Sequence, residues 1–82
     1  MKKINNNKNS KPTDSLSQEV GKIVRETRKL RGLSQRQLAE SLGTQQPSIA
    51  RIESGMVLPS LGFLGKIADS LDIRLQLISS LN

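Results

Sequence analysis

The stretch from Leu33 to Gly55, LSQRQLAESLGTQQPSIARIESG, decides the fold. It reads as two short helices separated by one glycine, Gly43. The first starts at Ser34, with Gln37 completing a capping box, and its apolar face is Leu38, Ala39 and Leu42. The second takes Gln45, or alternatively Thr44, as its N-cap. It places Pro47 in the first turn, where a missing N–H costs nothing. Ile49 and Ile52 point inward, and Gly55 closes the helix. Two glutamines, a proline and a serine have no use in the first turn of an ordinary core helix. They suit a helix whose first turn must touch something polar.

Helix, short turn, helix is an arrangement in which the second helix reads the major groove of DNA. Glutamine can bond adenine N6 and N7 together, and arginine can bond guanine O6 and N7. Gln46, Ser48 and Arg51 share one side of a helix beginning at Gln45. Pro47 offers an apolar surface to a thymine methyl. The free N–H groups and dipole at the start of the preceding helix favour a phosphate near Ser34 and Gln35.

Working outward, an earlier helix begins near Ser15, with Gln18 as its capping-box partner. Leu16, Val20, Ile23, Val24 and Leu30 fall at helical spacing on one face. Arg25, Arg28, Lys29 and Arg31 cluster in its second half, where cations suit the helix dipole, and Gly32 ends it. After the loop MVLPS, Ser60 caps a last helix with Leu61, Leu64, Ile67, Ala68 and Leu71 on its apolar face and Phe63 off the centre of that stripe. Then the period changes. IRLQL puts Ile73, Leu75 and Leu77 on one side, the alternation of a half-buried strand. The sequence holds no second strand to pair with it. The simplest partner is the same segment of another copy.

Composition narrows the class. The chain has 82 residues, no cysteine, no histidine and a net charge of +6, with a sequence pI of about 10.4. A chain this short buries little apolar surface, and without thiols or imidazoles it lacks the usual disulfide and zinc supports. The basic balance favours polyanions. Phe63 is the one aromatic residue, too few for stacking single-stranded bases, so duplex DNA is the expected partner. No apolar run approaches the ~20 residues of a membrane span, and MKKINNNKNS is not a secretory signal. Enzyme chemistry is not expected: there is no histidine, cysteine or tyrosine, and the seven carboxylates are scattered. The expected organisation is a disordered basic arm over residues 1–14, a DNA-binding domain over 15–72, a dimerisation strand over 73–78 and a tail over 79–82, in a cytoplasmic protein that joins the nucleoid when bound to its site.

GLSQRQLAESLGTQQPSIARIESG followed by PSLGFLGKIADSL resembles the Cro/CI-type, or XRE, helix-turn-helix family. Ala39, Gly43, the pair Ile49 and Ile52, the run Ile52–Gly55 and the PSL before the last helix carry the likeness. The resemblance implies an all-α, compact, lambda-repressor-like domain of four to five helices that binds operator DNA as a dimer. It implies an ion pair between Arg28 and Glu53, base contacts from Gln45, Gln46, Pro47, Ser48 and Arg51, and phosphate contacts from Ser34, Gln35, Arg36, Thr44 and Ser54. Asp72 stands where many members have glycine. The C-terminal strand is similar to that of HipB-like antitoxin repressors, in which Ile73, Leu75 and Leu77 would line a strand pairing across a homodimer. That likeness implies an autoregulating antitoxin whose further partner is a toxin, a HipA-like kinase. The alternative is a stand-alone phage or chromosomal repressor without a toxin. No cofactor, metal or small-molecule substrate is implied.

Overall fold

The computed structural model describes residues 14–73. Four helices follow one another: α1 (Asp14–Leu30), α2 (Gln35–Leu42), α3 (Gln46–Glu53) and α4 (Leu61–Leu71). α3 packs against both α1 and α2, and α4 closes the other side of α1 and α2. Val24, Leu38, Ile49, Ile67 and Leu71 are the fully buried large side chains, so every helix contributes to one core. Each such side chain is worth roughly 1.5–3 kcal/mol of burial. The core is small enough that single contacts elsewhere decide stability.

The two central helices form as their local chemistry dictates. Ser34 accepts a hydrogen bond from the Gln37 N–H at 3.0 Å, and the Gln37 side chain accepts from the Ser34 N–H at 2.8 Å. α3 takes Gln45 as its N-cap in extended conformation, with Pro47 in the first turn. Ser60 caps α4 by accepting from the Phe63 N–H at 3.1 Å. The first helix departs from its expected start. It already includes Asp14, so Ser15 lies within the helix.

The packing face of α1 is the expected one only in part: Val24 is fully buried and Val20 packs against the core. Leu16, Ile23 and Leu30 are exposed. The buried line is Ser17, Gly21, Val24 and Arg28, spaced by four, three and four residues, with Val20 at its edge. The cause is proximity. At Gly21 a Cβ would collide with the carbonyl oxygen of Ile52 and stand 2.8 Å from that of Glu53. α1 therefore crosses the end of α3 backbone to side-chain stub, and only small residues fit there. In α4 the correction is milder. Leu61 is exposed, while Phe63 packs against the core with Ile67 and Leu71 one and two turns on.

All four helices end alike. The N–H of the second residue past the last turn reaches back five residues, as Leu33 to Arg28 O (3.1 Å), Thr44 to Ala39 O (2.9 Å), Met56 to Arg51 O (3.0 Å) and Ile73 to Ala68 O (2.7 Å). This Schellman closure needs a left-handed residue at the reversal. Glycine supplies it three times, and Asp72, at φ 57°, is the exception. An aspartate there carries left-handed strain and places a negative charge at the negative end of the helix dipole. Asp72→Gly is expected to stabilise the domain by ~1 kcal/mol, read as a rise of about 4–8 °C in the thermal midpoint.

Among the described residues there is no strand. Ile73 belongs to the closing turn of α4 and packs against the core. Leu75 and Leu77, with the rest of the expected strand from 74 on, lie outside the described residues, as do residues 1–13 of the expected arm.

Candidate nucleic-acid interface

A chain of polar contacts links three helices and ends on the reading surface. Arg28 Nε donates to Glu53 Oε2 at 2.6 Å and Arg28 Nη2 donates to Glu53 Oε1 at 3.0 Å. Arg28 Nη1 donates to the Leu33 carbonyl at 2.7 Å. The pair is withdrawn from water, with side chains 9% and 3% exposed. Gln35 Nε2 then donates to Glu53 Oε1 at 3.0 Å, and Gln35 Oε1 accepts from Gln46 Nε2 at 2.6 Å. α1 thus braces the last residue of α3, and that residue orients α2, which orients the first residue of α3.

The electrostatics follow from the packing. Burial pushes the Glu53 carboxyl up, but the hydrogen bonds from Arg28 and Gln35 and the charges of Arg28 and Arg25 outweigh it, holding the group below its ordinary value. For Arg28 the hydrogen bond to Glu53 raises the pKa further, against burial and with the carboxylate's charge. Both groups are therefore charged at neutral pH. Directed charged hydrogen bonds of this kind are the strong ones.

The Gln46 amide is half engaged. Its bond to Gln35 uses one N–H and leaves a second N–H donor and the carbonyl acceptor. One donor and one acceptor on one amide are what the major-groove edge of adenine takes. Beside it, the Gln45 side chain makes no cap hydrogen bond. Gln46 and Pro47 are exposed, and Ser48 is half-buried one residue on. Arg51 is exposed one turn further along, with a 3.4 Å contact from Nη1 to the Pro47 carbonyl. A cleft between α2 and α3 has Arg36, Glu40, Thr44 and Gln46 on its walls. Arg36 lies 3.8 Å from Glu40 with both side chains largely exposed, a pairing worth little in water. Ser34 keeps its hydroxyl proton, since its oxygen only accepts from Gln37.

Gln35 and Gln46 are in direct contact. Arg36, Thr44, Gln45, Gln46 and Pro47 line one cleft, and Ser48 and Arg51 line a second one that shares Thr44, while Ser34 is the N-cap of α2. Ser54 lines neither cleft. Ser54 ends α3, and its hydroxyl donates to the Arg51 carbonyl at 3.0 Å. Two further residues matter that sequence reading passes over. Gly21 sets the approach of α1 to α3. Arg31, read as one of a cationic cluster, donates through Nε to the Leu71 carbonyl at 2.9 Å and ties the end of α4 to the end of α1.

The helix-turn-helix family profile matches residues 24–78. The chain belongs to the XRE-type helix-turn-helix family, a family of DNA-binding regulators that is not ordinarily enzymatic. It is 35% identical over 63 residues to endothelial differentiation-related factor 1 of Homo sapiens, covering 77% of this chain and 43% of that protein. It is 32% identical over 63 residues to the Gallus gallus homologue, and 33% identical over 58 residues to the one from Danio rerio, covering 40% of the latter. The chain spans about two fifths of the length of these curated relatives. No solved structure matches it. Among the described residues, no helix is long and apolar enough to cross a membrane.

Proposed function

We propose that the chain is a sequence-specific transcriptional repressor that grips a palindromic operator as a dimer, working in the cytoplasm and on the nucleoid. The observation that carries this reading is the Gln35–Gln46 bond, which fixes the Gln46 amide and leaves one donor and one acceptor facing out of the first turn of α3. Such a group gains nothing in the fold and is fitted to a base edge. In this reading Gln45, Gln46, Pro47, Ser48 and Arg51 read bases. Ser34, Gln35, Arg36 and Thr44 hold phosphates, whose neutralisation supplies most of the affinity and its salt dependence. Residues 1–14 serve as a basic arm, and the segment 73–78 pairs two copies so that their reader helices stand one turn of DNA apart, ~34 Å.

The finer assignment is an antitoxin that represses its own operon and binds a HipA-like kinase. It rests on the alternating IRLQL sequence after α4. Recovery of such a kinase with the protein from its native host supports that role; recovery of operator DNA without it leaves the stand-alone repressor. Similarity to a differentiation-related factor covers the helix-turn-helix portion and adds no partner.

Selection of bound duplexes from a random pool tests the core of the proposal. A palindrome with half-site centres ~10 base pairs apart is expected. Uniform recovery of all sequences by a monomeric protein overturns it. Within the selected site, Arg51→Ala is expected to cost ~1–3 kcal/mol and to relax preference at one base pair per half-site. An equal loss on every duplex would make Arg51 a phosphate contact.

A further inference from the structure

The hydrogen bonds behind Gln46 have a direction, and the direction starts at Glu53. An ionised carboxylate can only accept. Glu53 takes two hydrogen bonds from Arg28 and one from Gln35, the last at 3.0 Å through Gln35 Nε2. That contact settles which way the Gln35 amide is turned. The opposite way would set its carbonyl oxygen against a carboxylate oxygen, acceptor against acceptor. The Glu53 side chain is only 3% exposed, so little water is at hand to relieve the repulsion. With its NH2 group committed to Glu53, Gln35 turns its carbonyl toward α3, and Oε1 accepts from Gln46 Nε2 at 2.6 Å. Gln46 must therefore spend an N–H on its inner side. One acceptor and one donor are left on its exposed side.

That remainder discriminates between the purines. In the major groove adenine offers N7 as an acceptor and its N6 amino group as a donor, whereas guanine offers two acceptors, N7 and O6. A group with one acceptor and one donor completes both bonds with adenine. Against guanine its carbonyl meets O6, and a bond is exchanged for a repulsion. A relay running the other way would take the Gln46 carbonyl inward and leave two N–H donors outside, the match to guanine.

On the reading above, in which Gln46 meets a base edge, we propose that Glu53 is the positioning residue that selects the base: its acceptor-only carboxylate, acting through Gln35, commits the Gln46 position to adenine over guanine. Glu53 is buried and touches no DNA. The residue that holds α1 to α3 thus also sets the sense of the reading group.

Gln35 is the place to test this, because substitutions there leave both Arg28–Glu53 bonds intact. Duplex selection with the wild type and with Gln46→Ala marks the base pair whose preference Gln46 carries. Two duplexes differing only there, A·T against G·C, are then compared by competition binding. The wild-type protein should favour the adenine duplex by about tenfold or more. Gln35→Leu cuts the relay and lets the Gln46 amide turn, so most of that ratio should disappear. Gln35→Lys reverses the relay. An ammonium group has donors only; it can hold Glu53, but Gln46 must then answer with its carbonyl, and the preference should cross to guanine. A Gln35→Lys protein that still favours adenine overturns the proposal. So does an equal loss on both duplexes in Gln35→Leu, which would make Gln35 a phosphate contact alone. So does a Gln46→Ala selection identical to the wild type's at every position, because Gln46 would then read no base; in each of these cases the wild type still selects a site and the proposed function stands. A wild-type protein that selects no sequence overturns the proposed function and this assignment with it.

Discussion

Glu53→Ala is expected to leave the domain largely unfolded at room temperature. The carboxylate lies at the centre of three hydrogen bonds, two from Arg28 and one from Gln35. Its removal leaves the Arg28 guanidinium, only 7% exposed as a residue, with the Leu33 carbonyl alone. Breaking one partner out of a buried pair costs ~3–5 kcal/mol. The whole stability of a domain of about 60 ordered residues is of the order of 3–9 kcal/mol. Chemical denaturation followed by circular dichroism measures the loss. Glu53→Gln separates charge from connectivity, because the amide can still accept from Arg28 but has no charge to offer. Its loss should be smaller, and a Glu53→Gln protein as unstable as Glu53→Ala would place the whole effect in the charge.

The same pair sets the response to acid. The folded carboxyl is held below its ordinary value, so its contribution is fully present above the unfolded glutamate value of ~4.3. It is lost as pH falls through the lower folded value. Wild-type stability should therefore drop below about pH 4, and the drop attributable to this residue should be absent in Glu53→Gln. DNA binding should fail over the same window, since Gln35 takes its orientation from Glu53 and passes it to Gln46.

Much of this was legible in the sequence, and the parts that were not share a cause. The caps at Ser34, Gln45 and Ser60, the reversals at Gly32, Gly43 and Gly55, and the inward pairs Leu38–Ala39 and Ile49–Ile52 are local chemistry, readable over a few residues. The face of α1 is not local. Hydrophobic periodicity selects Leu16, Val20, Ile23, Val24 and Leu30; Val24 and, at the edge, Val20 do face the core, but the rest of the buried line is Ser17, Gly21 and Arg28. A helix that crosses another closely is chosen for small residues and for one charge met by a partner 25 positions away. Nothing in α1 itself signals that partner. The interface shows the same division. Gln46 is conspicuous as a glutamine in a first turn, but its tie to Gln35 lies between helices and appears only once they are packed.

Gly21→Ala should be the other severe lesion, and its sign is a contest between two effects. Alanine is the better helix former by ~1 kcal/mol in a helix interior. Gly65→Ala, in α4 where an added Cβ meets nothing within 4 Å, should show that gain as a higher melting temperature. At Gly21 the new methyl group would collide with the Ile52 and Glu53 carbonyl oxygens. Both are backbone atoms of a helix end, and the Ile52 oxygen already accepts from the Gly55 N–H, so they cannot swing aside as a side chain would. Overpacking of this kind costs ~1–3 kcal/mol and occasionally more; against a rigid backbone the upper end applies, and it exceeds the propensity gain. α1 must then lift from α3. Because Glu53 is the residue it lifts from, the Arg28 bonds lengthen and the orientation passed through Gln35 to Gln46 loosens. Even the molecules that remain folded should bind the selected operator less tightly, with discrimination at the Gln46 position falling before affinity for random duplex does. A Gly21→Ala protein that melts higher, as Gly65→Ala should, would show that α1 and α3 do not meet at this distance, and the route from Arg28 to the reading surface would have to be redrawn.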